Sequence, residues 1–308
     1  MIHRRQFTAT AFTALSSLAL AAGSARAAPS SSSSSASPAS SAPPAGSGRL
    51  ARRLAEIDAA SGGRLGVCVI DGASGARTGH RENERFPMCS SFKLMASAAV
   101  LARVDRGQER LDRRIVFQRA DLLSYSPGTA KHAGSGMTLG ELCEAAITLS
   151  DNTAANLILG TIGGPAGFTR YARSLGDTRT RLDRIEPALN EARPGDPRDT
   201  TTPAAMAGNL RKLLLGDALS PASRAQLDAW MAANQTGGAR LRAGVPPDWK
   251  VGDKTGTGRN GTANVIGILR PPQGAPILVA AYLTGSTASA EAQNASLAAV
   301  AAAIAQAD

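Results

Sequence analysis

Histidine, cysteine, lysine and aromatic residues are all scarce in this sequence, and each scarcity removes a class of chemistry. The 308 residues include three His (His3, His80, His132) and three Cys (Cys68, Cys89, Cys143). His3 lies in an N-terminal segment that reads as removable, and the remaining two support neither a multi-His metal site nor a secure Ser-His-Asp triad. Three Cys cannot all pair, and none has the closely spaced Cys or His neighbours of a zinc site, so no metal and no cofactor is expected. Aromatics make up 4% of the chain and the basic residues are scattered among acids, so the net charge of +10 reads as a solvated surface and not a nucleic-acid groove. Lysine is rarer than that charge suggests, with five (Lys93, Lys131, Lys212, Lys250, Lys254) against 29 Arg. Where arginine is used so freely, a lysine is a lead to a place that needs a compact or deprotonatable amine.

Long hydrophobic runs are missing as well. The apolar stretch at residues 9–22 falls short of the ~20 residues of a membrane span. It lies between His3-Arg4-Arg5-Gln6-Phe7 and Ala25-Arg26-Ala27, which completes the charged, apolar and small-residue parts of an export signal. The Arg pair suggests the twin-arginine route. Residues 1–27 are therefore expected to be a signal peptide, and the protein to be exported to the periplasm or secreted, with no stable membrane insertion after cleavage. Residues 28–48, nearly all Ser, Ala, Pro and Gly, cannot bury enough apolar surface to offset their ordering entropy and read as a flexible linker. Residues 49–308 form the expected folded unit, large enough for one domain or two interleaved subdomains. Without Arg4, Arg5 and Arg26 its charge is +7.

Periodicity predicts a helix over 49–60, strands over 64–70 and up to His80, and a helix from Ser90 to about Gly107. Further helices are expected over 137–147, 153–162, 167–174, 202–215 and 220–234, the last two opening on Thr-Pro and Ser-Pro start signals. Strands return at 248–254, 261–269 and 276–284, before a final apolar helix over 291–305. Two early and three late strands thus bracket a helical middle. The simplest arrangement is an α+β fold: one five-stranded antiparallel sheet flanked by helices, with an all-helical subdomain inserted.

Five stretches carry residues suited to chemistry. In Met88-Cys89-Ser90-Ser91-Phe92-Lys93, Ser90 heads a helix and Lys93 returns to the same face one turn later, which suits a nucleophile whose proton a buried amine could take. Taken alone it is equally a capping Ser with a solvated Lys. Ser150-Asp151-Asn152 sits at a break between helices, where a hydroxyl and an amide can point into a cleft; such a tripeptide is also a common cap or turn. Lys254-Thr255-Gly256-Thr257 ends a predicted strand and offers a fixed charge, two hydroxyls and a glycine that admits a close ligand. Residues 184–199 lack any periodicity, and long irregular loops in compact domains are usually functional or packed on themselves. In that loop Glu186 and Asn190 can hold a water between a carboxylate and an amide, as general-base hydrolysis requires, and Arg184 and Asp199 can close it by an ion pair. Arg240 can add a guanidinium to the Lys254 side, although among so many arginines a surface role is the ordinary one.

Ser-x-x-Lys, Ser-Asp-Asn, Glu-Pro-x-x-Asn and Lys-Thr-Gly, in this order, resemble the motif set of class A serine β-lactamases, across residues 49–308. Tyr125-Ser126-Pro127 is similar to that family's cleft wall. The resemblance implies an α/β subdomain with a five-stranded sheet beside an all-helical one, and β-lactam antibiotics as substrates. It implies Ser90 as nucleophile, backbone N–H groups of Ser90 and Thr257 as oxyanion hole, and Lys93 or Glu186 as acylation base. It further implies Ser150 as proton shuttle helped by Lys93 and Lys254, and Asn152 on the substrate's side-chain amide. Lys254, Thr255, Gly256, Thr257 and Arg240 would line the carboxylate site, and Glu186 with Asn190 would activate the deacylating water. A monomer is expected. Two departures stand out. Some relatives pair a Cys before the nucleophile with one just after Lys-Thr-Gly-Thr, but here Cys89 faces the Gly258 position. Others join the Cys143 position to that of Ser97. The rival readings are a cell-wall D-Ala-D-Ala peptidase and a non-catalytic β-lactam sensor.

Overall fold

The computed structural model describes residues 45–307, with side chains from Gly48 onward. The expected signal peptide and all of the expected linker before Ala45 lie outside the described residues. The first helix, Ala45–Ala60, begins inside the stretch expected to be linker, since adding residues to a formed helix costs far less than starting one.

Five strands form a single antiparallel sheet: Arg64–Asp71, Arg77–His80, Lys250–Gly258, Thr262–Arg270 and Ile277–Thr284. In space their order is second, first, fifth, fourth, third, so both ends of the chain's strand set meet at the centre and Lys250–Gly258 is an edge. The alternation of side chains assigns each face to a separate core. Leu65, Val67, Val69, Val265, Val279 and Leu283 pack under the first helix and the last, Ala290–Ala305. Cys68, Ile70, Ile266, Ile268, Leu278 and Tyr282 join the larger core of the helical region. Because both faces are covered, the central strands read as nearly unbroken apolar runs.

The inserted helices run from Phe92–Asp105 through Leu139–Thr148, Asn152–Thr161, Gly164–Ser174 and Pro203–Leu214 to Pro221–Ala232. Phe92–Asp105 is buried on every side from Phe92 to Ala102, which explains its apolar sequence with little amphipathic pattern. It is the post around which the other helices pack, and it fixes Ser90 at its head.

Two short pairings escaped the periodicity, because two residues are too few to show a pattern. Arg114–Ile115 pairs with Met137–Thr138, and Phe86–Pro87 with Thr200–Thr201. The second matters for the site. It clips the end of the irregular loop to the segment entering the Ser90 turn, and Met88 N donates to Asp199 O at 2.9 Å.

Candidate active site

Ser90 lies in a 3-10 turn, Cys89–Ser91, whose first residue Cys89 takes the left-handed region (φ 45°) before the chain enters the helix. The Ser90 hydroxyl is 8% exposed at the bottom of a cleft of about 340 Å³ and donates to Glu186 Oε1 at 3.3 Å. Lys93, fully buried one turn on, donates to Ser150 O and Asn152 Oδ1, each at 2.7 Å, and pairs with Glu186 Oε1 at 3.0 Å. Three acceptors match the three hydrogens of an ammonium. Burial pushes the Lys93 pKa down, and the Glu186 charge holds part of it back.

The break between Leu139–Thr148 and Asn152–Thr161 presents Ser150 and Asn152 to the cleft. Ser150 is left-handed (φ 59°), as is Tyr125 opposite (φ 61°), and Asn152 N donates to Tyr125 O at 3.0 Å. Asp151, between the two cleft residues, turns the other way. Its buried carboxylate caps the helix through Ala154 N (2.8 Å) and holds Gly128 N and Thr129 N (2.9 Å each), so it ties the Tyr125 wall to the helix break. Tyr125 itself is 62% exposed at the mouth.

The Lys254 strand continues to Gly258, beyond the end expected at Lys254, because Thr257 and Gly258 still find partners in Ala263 and Thr262. Lys254, fully buried, donates to Ser150 Oγ at 3.0 Å and Thr255 O at 2.9 Å. Its pKa lies well below the usual value, first through desolvation and then through the Lys93 charge. The glycine in Lys-Thr-Gly answers to protein and not only to ligand. A Cβ at Gly256 would stand 2.8 Å from Met88 O and 3.1 Å from Ser91 N, so only glycine lets this strand lie against the Ser90 turn.

Arg240 lines the cleft but is committed to the protein. Its Nη1 donates to Gly256 O (2.8 Å) and Asn264 O (2.5 Å), Nε to Asn294 (2.9 Å) and Nη2 to Thr257 Oγ1 (2.8 Å). A guanidinium has five N–H groups, so one is left for a ligand. Burial pushes its pKa down to about 10.

An ion pair joins the two ends of the irregular loop. Arg184 Nε donates to Asp199 Oδ2 at 2.6 Å, and Asp199 Oδ1 also receives Asp183 N and Arg184 N at 2.7 and 2.9 Å. Glu186, joined to Pro187 by a cis peptide, is 2% exposed, and Asn190 Nδ2 donates to its Oε2. Asn190 Oδ1 is buried and finds no partner among the described residues. Sequence reasoning missed Asn156, whose amide takes Glu186 N (2.9 Å) and gives to Glu186 O (2.9 Å), thereby fixing the main chain at that carboxylate. It sits on the same face of the Asn152–Thr161 helix as Asn152, four residues on, and that spacing was the available signal.

The three cysteines are buried and free. A Cβ at Gly258 would come 2.5 Å from Cys89 Sγ, so the two positions do adjoin and only the second sulfur is lacking. Burial pushes the Cys143 thiol, beside the Ser97 hydroxyl, up to about 12. Among the described residues no His, Cys, Asp and Glu cluster suits a metal ion, and no helix is long and apolar enough to cross a membrane.

A hydroxyl, a buried carboxylate and two buried amines around one cleft are parts for nucleophilic acyl transfer. The family described as beta-lactamase enzyme family matches residues 49–307. The chain belongs to this family. β-Lactamase OXY-2 of Klebsiella oxytoca is 50% identical over 240 residues, 78% of this chain and 83% of that protein. β-Lactamase L2 of Stenotrophomonas maltophilia is 50% identical over 242 residues, 78% and 80% of the two chains. Among solved structures, an ancestral class A β-lactamase is 63% identical with a TM-score of 0.83, covering 84% of this chain and all of its own. With class A relatives this similar over the whole folded region, the fold and the enzyme class are those of a class A β-lactamase.

Proposed function

We propose that the protein opens the β-lactam ring of penicillins and cephalosporins through an acyl-enzyme on Ser90, releases it with a water activated by Glu186, and so confers antibiotic resistance. The observation that carries this reading is the position of Glu186, with one carboxylate oxygen on the Ser90 hydroxyl at 3.3 Å and the other on the Asn190 amide. A peptidase or sensor sharing the nucleophile needs no such water-holding pair.

In acylation the Ser90 oxygen attacks the lactam carbonyl, and its proton passes to the Glu186 side. Of the two candidate bases, Glu186 is favoured, because all three hydrogens of Lys93 already have acceptors while Glu186 Oε1 faces the hydroxyl. The developing oxyanion is held by backbone N–H groups of Ser90 and Thr257. As the C–N bond breaks, Ser150 gives its proton to the lactam nitrogen, with Lys254 against its oxygen to offset the charge, and the proton that Glu186 took from Ser90 passes by way of Lys93 to Ser150, so that Glu186 is again a carboxylate. The substrate carboxylate lies against Lys254, Thr255, Thr257 and the spare N–H of Arg240. Asn152 retains one amide hydrogen for the substrate's side-chain carbonyl. In deacylation a water between Glu186 and the unpartnered Asn190 Oδ1 gives a proton to Glu186 and attacks the ester carbonyl, and Glu186 passes that proton to the leaving Ser90 oxygen.

We further infer that residues 1–27 are an export signal and that the mature protein is a monomer in the periplasm or medium. A chromogenic cephalosporin tests the central claim: sustained turnover is expected, and a single stoichiometric burst would overturn it.

A further inference from the structure

Thr236 lines the cleft beside Thr255 and ends a partly buried polar chain whose other members the reaction above does not use. The chain starts at Asp253, fully buried next to Lys254 in sequence. Asp253 Oδ1 receives Arg242 Nε at 2.8 Å, and Oδ2 receives Asn234 Nδ2 at 2.9 Å. A carboxylate partner fixes which end of the Asn234 amide faces it, so the amide oxygen points away. That oxygen receives Thr236 N at 3.0 Å and Thr236 Oγ1 at 2.8 Å. Thr236 Oγ1 in turn lies 2.6 Å from Thr255 Oγ1. The loop wraps tightly around the anchoring carboxylate: a Cβ at Gly237 would stand 2.0 Å from Asp253 Oδ2.

We propose that Thr236 is a positioning residue that sets the direction of the Thr255 hydroxyl proton and so tunes affinity for the substrate carboxylate; this rests on Thr255 belonging to the carboxylate site. Each hydroxyl has one hydrogen. In the free protein that of Thr236 goes to Asn234 Oδ1, so Thr255 donates to Thr236. A carboxylate only accepts, and its arrival turns the Thr255 hydrogen toward it. Thr236 then turns its own hydrogen to Thr255, and Asn234 Oδ1 keeps the Thr236 N–H. Every group stays paired in both states, so the switch needs no movement of heavy atoms. Without the Thr236 hydroxyl, Thr255 loses the donor behind it and becomes a weaker partner for the anion.

Steady-state kinetics with a penicillin test this in a double-mutant cycle. T236V should raise KM about tenfold with kcat changed less than about twofold, the size expected for weakening one hydrogen bond to a charged group. T236S should restore the wild-type KM, and in a T255V background T236V should add less than about twofold, because both act through one hydroxyl. Equal factors in the two backgrounds, a fall in kcat at constant KM, or no rescue by serine would overturn it. If T236V does not fold, T236A takes its place in the cycle. Wild-type turnover is the internal control, since its absence would sink the hydrolase reading and not this one.

Discussion

Two halves of the cleft are held in place by different means. Ser90, Lys93, Ser150 and Lys254 stand on a buried helix, a helix break and a sheet strand, with Lys93 and Lys254 wholly inside the protein. Their positions follow from two hydrophobic cores. Glu186 and Asn190 stand on a loop that owes its shape to polar contacts: Arg184 to Asp199, Asn156 to the Glu186 main chain, Arg259 N to Asn190 O at 2.8 Å, and Asn260 Nδ2 to Glu191 O at 2.8 Å. The half proposed to acylate therefore keeps its shape when single polar contacts are lost, whereas the half proposed to deacylate does not. Forming the acyl-enzyme and releasing it should be separable by mutation.

The largest separation is expected from Glu186→Ala. In the proposed mechanism removing the carboxylate takes away the deacylating base, so kcat should fall by about a thousandfold or more while an adduct persists on Ser90, visible by intact mass after adding a penicillin. Acylation should slow yet remain detectable. Absence of a lasting adduct would count against the role assigned to Glu186. The opposite half is probed by Gly256→Ala. Its new methyl meets Met88 O at 2.8 Å, a main-chain atom that cannot swing aside. Overpacking of this kind costs about 1–3 kcal/mol, so the melting temperature should drop and acylation should become the slow step, with no adduct accumulating.

Arg184→Ala should have a smaller effect confined to the loop. Asp199 is 1% exposed and would lose its guanidinium but keep two backbone N–H donors. Breaking a buried pair from one side costs about 3 kcal/mol, and the remaining donors reduce that here. The expected result is an accumulating acyl-enzyme with nearly normal acylation in stopped-flow traces. Equal slowing of both steps would mean that the loop and the nucleophile turn move together, through the bond from Met88 N to Asp199 O.

Much of the acylating half was legible in the sequence because its parts lie on elements with strong periodicity. The five strands and the helix after Ser90 follow from alternation and apolar runs, and Lys93 from the turn spacing. Glu186 and Asn190 were legible only as a loop lacking periodicity, and their roles came with the resemblance. Asp151 and Asn156 were not legible as anchors. Each works across about 20–30 residues of chain, on Gly128 and on Glu186, and single-sequence patterns carry no signal for such pairings. Arg240 shows the converse. Its residue type suggested a free guanidinium, but its four bonds to the protein go to two strands and the last helix, whose approach no local pattern reveals.

The smallest expected difference between the halves appears in acid. The loop holds Asp196, whose carboxyl is pulled down to about 2 chiefly by Arg198, and Glu191, lowered chiefly by Arg193, and Asp183 just before the loop is lowered chiefly by Arg181. A carboxyl with a depressed folded-state pKa stabilises the fold above its unfolded value and loses that contribution as pH falls through the folded one. For Asp196 the window runs from 3.8 down to about 2. The sheet edge has no equivalent, since Asp253 is shifted upward by burial. Amide exchange, corrected for its intrinsic pH dependence, should therefore quicken in residues 184–199 across that window while the strand Lys250–Gly258 changes less. These ion pairs are partly exposed and screened, so the gap should be a few-fold and should shrink in high salt. Parallel behaviour of loop and strand would place the loop's stability in its packing, and would make the polar contacts a consequence of the loop's shape instead of its cause.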